Sequence, residues 1–61
     1  MRTNLIRLRQ SKNYSQLDMS KLLGISLRQY QRIESGESDG KLELWLRLSD
    51  IFKETINYLV M

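Results

Sequence analysis

The 61-residue chain contains no cysteine, histidine or proline and only three glycines. Without cysteine no disulfide staples the fold, and without His or Cys no ligand cluster can hold a structural zinc. A chain this short buries only about 60% of its unfolded surface, so those missing supports matter. Oligomerisation or a bound partner is the remaining source of added stability. The lack of proline and scarcity of glycine argue against long ordered loops and favour an all-α bundle, expected as a single domain over residues 1–61. No apolar run approaches the ~20 residues of a membrane span. The N-terminus places Arg2, Arg7 and Arg9 among apolar residues, with no signal-type apolar core. A soluble, cytoplasmic protein without membrane contact is the expectation. There are no paired carboxylates in an evident pocket and no Gly-rich phosphate loop. The sequence therefore offers no catalytic residue, no metal site, no cofactor site and no evident small-molecule ligand, and an enzyme is the least favoured class.

The charge that is present is unevenly placed. Net charge is +3, but residues 1–33 hold seven Lys or Arg and one acid, whereas residues 34–61 hold three bases and six acids. A basic front half suits a protein that turns one side toward a polyanion. Ordinary scatter of charge on a small surface gives the same count.

The spacing predicts a first helix over about Arg2–Lys12, with Leu5, Leu8 and Ile6 facing inward, and Asn13-Tyr14 breaking it. Ser15 caps a second helix, and Asp18 three residues on completes a capping-box pattern. Met19, Leu22 and Leu23 give one expected buried stripe, with small Ser20 beside it, and Gly24 is the expected left-handed terminator. Ser26 and Gln29 repeat the capping box for a third helix that ends before Gly36. Residues 37–41 form a polar loop with a turn signal at Asp39-Gly40. A fourth helix, Leu42 to about Phe52, should bury Trp45, Leu48 and Phe52, with Leu44 and Ile51 on its flank. Thr55 can cap a last segment, Ile56–Val60.

Two capped helices joined by a glycine-containing turn have the geometry of a helix-turn-helix, in which the second helix is held out as a probe for DNA. At 100° per residue, residues 27–34 separate into two faces. Tyr30 and Ile33 lie on one, suited to a core. Leu27, Arg28, Gln31 and Arg32 lie on the other. Arg can fork to guanine, Gln can pair with adenine, and Leu can touch a thymine methyl. These four are the candidate base-reading residues. Taken singly, each is better explained as a solvated surface residue; their grouping on the second capped helix favours base contact.

From Leu8-Arg9, Lys12, Ser15-Gln16, Met19-Ser20, Leu22-Leu23-Gly24-Ile25-Ser26, Tyr30, Ile33-Glu34 and Gly36, the chain resembles the lambda-repressor-like helix-turn-helix family, the Cro and repressor type. Trp45-Leu46, Phe52 and residues 56–59 continue the likeness over nearly the whole chain. The resemblance implies a compact five-helix fold, with helices 2 and 3 as the helix-turn-helix, that binds double-stranded operator DNA as a two-fold homodimer. It implies a phosphate contact for Gln16 at the start of helix two, where the helix dipole assists, and a backbone-facing Lys41. It pairs Arg9 with Glu34; Arg9 as an exposed phosphate contact is the alternative, so Gln16, Ser35, Lys41 and Arg9 form the candidate phosphate set. Three positions depart from the family pattern. Ser20 stands where Ala is usual, Gly40 where proline is common, which implies a looser loop, and Glu54 where an aliphatic residue is usual.

Ile56, Tyr58, Leu59, Val60 and Met61 supply five apolar or aromatic side chains within six residues. One short helix can turn only about half of them to its own core. Ile56, Tyr58, Val60 and Met61 are therefore the expected dimer interface. The leading expectation is a sequence-specific DNA-binding transcriptional regulator. The alternative is a protein-interaction module of the same fold, as in an antitoxin or anti-repressor.

Overall fold

Serine capping starts two of the five helices. In the computed structural model, which describes residues 1–61, these are α1 (Thr3–Ser11), α2 (Gln16–Leu23), α3 (Leu27–Ser35), α4 (Leu42–Phe52) and α5 (Ile56–Leu59). Ser15 Oγ accepts from the Asp18 backbone N–H, and the Asp18 carboxylate accepts from the Ser15 N–H, each at 2.9 Å. Those bonds hold the Asp18 carboxyl below its ordinary value of 3.8. Ser26 and Gln29 make the same reciprocal pair at 3.1 Å for α3. Gly24 and Gly36 end α2 and α3 at φ +71° and +88°, a region that a side chain makes costly. The observed bounds of α1 and α5 fall one residue inside those expected.

Leu5, Met19, Leu23, Tyr30, Ile33, Trp45, Leu48, Phe52 and Leu59 form one buried cluster that draws on all five helices. Truncating a fully buried leucine such as Leu5 or Leu48 to Ala would cost about 2–5 kcal/mol, a large fraction of what a small domain has. Leu8, Tyr14, Ile25, Leu44, Ile51 and Ile56 pack around its edge.

The expected burial of Leu22 is not found; it is 51% exposed, whereas Ser20 is 3% exposed. The reason is angular. Met19, Leu23 and Ser20 span an arc of about 100°, and Leu22 lies about 60° outside it on the other side. Small Ser20 faces the core, with its hydroxyl donating back to the Leu17 carbonyl at 2.7 Å. A second correction concerns the loop before α4, expected to be loose at Gly40. Gly40 sits at φ +72°, which proline cannot adopt, and a Cβ there would lie 3.1 Å from Trp45 Nε1. That indole N–H donates to the Asp39 carbonyl at 2.7 Å, so the loop is anchored on α4. At Glu54, it is the backbone that is used: its N–H donates to the Ser49 carbonyl at 3.3 Å and its carbonyl accepts from the Ser49 hydroxyl.

Candidate nucleic-acid interface

Helix α3 divides its residues between two duties. Tyr30, Ile33 and Glu34 are buried, while Leu27, Arg28, Gln31 and Arg32 are exposed. Leu27 is 37% exposed, an aliphatic side chain at the open end of a polar row. Arg28 has no partner within the molecule. Arg32 Nε lies 3.1 Å from Glu37 Oε2, an exposed pair that the sequence reading missed. Such a pair is worth about 0–1 kcal/mol, so it orients Arg32 without locking it.

The inner side of α3 is fastened through one carboxylate. Glu34 is 3% exposed. Its Oε2 accepts from Arg9 Nε at 2.6 Å and from the Tyr30 hydroxyl. Its Oε1 accepts from Gln16 Nε2 at 3.0 Å and more loosely from Arg9 Nη2 at 3.5 Å. A buried carboxylate needs this many donors, because burial without them carries a heavy desolvation cost. Burial, followed by the bond to Glu34, pushes the Tyr30 phenol well above its ordinary value of 10.0. The network then runs outward: Gln16 Oε1 accepts from Gln31 Nε2 at 3.2 Å. One amide therefore connects the buried carboxylate to the exposed row of α3.

The candidate phosphate residues are distributed differently from the expectation. Arg9 is turned inward, with Nη1 donating to the Tyr14 carbonyl at 2.9 Å and its other nitrogens on Glu34. Its expected phosphate role gives way to that clamp, because no guanidinium nitrogen is left without a partner. Gln16 is half-buried between Glu34 and Gln31. Ser35 is exposed, and its hydroxyl donates to the Arg32 carbonyl at 3.0 Å while accepting from Glu37 N–H. Lys41 is exposed at the N-cap of α4 and makes no side-chain cap bond. The backbone N–H groups of Lys41, Leu42 and Glu43 have no acceptor within the molecule. Two arginines have roles the sequence did not disclose. Arg2 is 9% exposed, and Arg47 Nη1 caps the end of α2 at the Leu23 carbonyl, 3.1 Å away. Arginine spacing carries no signal for either, since both act on backbone carbonyls of distant segments.

At the C-terminus, Leu59 is fully buried and Ile56 packs on the core. Tyr58 is half-buried, and its carbonyl accepts from Asn4 Nδ2 at 3.0 Å. Val60 and Met61 are 39% and 71% exposed. No helix is long and apolar enough to cross a membrane.

A helix-turn-helix family model matches residues 5–59. The chain belongs to the XRE-type, lambda-repressor-like helix-turn-helix family. It is 43% identical over 49 residues to a Pyrococcus horikoshii protein provisionally named an HTH-type transcriptional regulatory protein. A similarly named protein of Pyrococcus abyssi is 39% identical over 49 residues. In both cases the match covers 80% of this chain but 16% of the relative, so the chain corresponds to a small part of those proteins. No solved structure gives a significant match.

Proposed function

We propose that the chain is a sequence-specific DNA-binding transcriptional regulator that occupies an operator by laying α3 in the major groove. The observation that carries this reading is the division of α3. Tyr30, Ile33 and Glu34 anchor it from within, and Leu27, Arg28, Gln31 and Arg32 stand outward in one row. That row combines guanine-, adenine- and thymine-compatible side chains on a helix that cannot easily rotate. Lys41 and the unpartnered amides opening α4 add a phosphate contact beside it, with Gln16 and Ser35 as further candidates. Family membership and the names of the two Pyrococcus proteins support the same reading.

In this account two copies pair through Tyr58, Val60 and Met61, with Ile56 beside them, and set two α3 helices ~34 Å apart on one side of the duplex. The site of action is cytoplasmic, and the role is binding rather than catalysis. A mobility-shift titration over several salt concentrations tests the reading: binding should weaken steeply as salt rises. Absent or salt-insensitive binding favours the protein-interaction alternative.

A further inference from the structure

Arg2 lies outside α1, yet it is among the most buried charged residues of the chain. Its backbone N–H donates to the Glu34 carbonyl at 2.8 Å. Its Nη1 donates to the carbonyls of Ile33 and Ser38, the latter at 2.9 Å. The guanidinium carbon sits 4.9 Å from the centroid of the Trp45 ring, within cation–π range. Trp45 in turn holds the Asp39 carbonyl through its indole N–H. The carbonyls of Ser38 and Asp39 are therefore both drawn inward, one by Arg2 and one by Trp45. The Asp39 carboxylate, 3.8 Å from Arg2, is fully exposed, so it adds little. Immediately after this fixed segment come the unpartnered N–H groups of Lys41, Leu42 and Glu43.

We propose that Arg2 is a positioning residue for phosphate binding at the start of α4. It acts through the loop carbonyls rather than by touching DNA, and the proposal rests on the DNA-binding reading above. Buried and stacked, Arg2 is poorly placed to meet a phosphate itself. Both carbonyl bonds leave from the single nitrogen Nη1, which a lysine ammonium has donors enough to match; what lysine lacks is the flat guanidinium that lies on the Trp45 indole while making them. By fixing the Ser38 carbonyl beside the Asp39 carbonyl that Trp45 holds, Arg2 presents the α4 amides and Lys41 in one arrangement, so that binding need not order the loop.

The test compares wild type, Arg2→Met and Arg2→Lys on an operator duplex and a random duplex over a range of salt. Met retains volume over Trp45 but leaves the Ile33 and Ser38 carbonyls without their Arg2 donor, so its Tm should fall and binding is read at low temperature, where the helices are formed. Both variants should keep their helical circular dichroism. Arg2→Met should lose about tenfold in affinity on both duplexes alike, with base preference unchanged and the log–log salt slope flattened by about one. Arg2→Lys, which retains the charge, should recover only part of that loss. A purely structural role would lower Tm and leave the slope of the folded protein unchanged; that result overturns the proposal. So does full recovery by Arg2→Lys, which would assign the effect to charge alone. If both variants unfold, Arg2 is a stability residue and the proposal falls. Failure of wild type to bind either duplex at low salt would instead overturn the DNA-binding reading and this role with it.

Discussion

Arg9 and Glu34, 25 residues apart in the chain, meet at 2.6 Å with side chains 12% and 4% exposed. Their pairing ties α1 to the last turn of α3. A double-mutant cycle with Arg9→Ala and Glu34→Ala should show coupling well above the 0–1 kcal/mol of a surface pair. Arg9→Ala, which leaves the carboxylate buried without its cation, should cost about 3–5 kcal/mol. Urea unfolding of the four proteins measures this, and additive effects would remove the clamp from the account.

Arg28→Ala and Arg32→Ala should each lower affinity for the best operator by roughly 1–3 kcal/mol and relax preference at one base pair per half-site. Both side chains lie away from Tyr30 and Ile33, so helical circular dichroism should hardly change. Loss of helicity in either variant would contradict the division of α3 into an inner and an outer face.

Gln16→Ala removes the amide whose two hydrogen bonds bridge the buried carboxylate to Gln31. Gln31 should then sample more rotamers, and the base preference it contributes should weaken. Glu34 keeps Arg9 and Tyr30, so folding should suffer less than in Arg9→Ala. Equal losses of stability in the two variants would show that the amide chiefly supports the fold.

Stability should fall above about pH 10. The folded phenol of Tyr30 holds its proton past the ordinary value of 10.0, while the unfolded chain releases it there. Its contribution is therefore fully present below pH 10 and lost as pH rises beyond it. Tyr30→Phe should flatten this alkaline limb in thermal melts taken from pH 8 to 11. An unchanged limb would place its origin in other groups.

Tyr58→Asp should separate a C-terminal dimer while leaving the core around Leu59 formed. Binding should weaken strongly on a palindromic site and much less on an isolated half-site. A wild-type monomer by sedimentation, both free and on a palindrome, would place the pairing surface elsewhere.

Much of this fold was legible in the sequence because capping is local chemistry. Ser15 with Asp18, Ser26 with Gln29, and Gly24 and Gly36 state the ends of α2 and α3 within a few residues of themselves. The two-faced character of α3 follows from helical period alone. Leu22 was misread because three apolar residues suggested a stripe, and nothing local said that Ser20 would turn it. The burial of Arg2, the Arg47 cap on Leu23 and the loop held by Trp45 depend on partners more than five residues away. Basic residues near the N-terminus read as candidates for a polyanion until those partners are in place.

Selection of bound duplexes from a randomised pool, repeated with Arg28→Ala, tests the central claim most directly. Wild type should enrich an inverted repeat whose half-site centres lie about 10 base pairs apart, one helical turn. Arg28→Ala should enrich the same repeat with one base pair per half-site no longer preferred. A pool that stays random for wild type, or that is identical for the two proteins, would contradict the claim that α3 reads DNA through its outward row.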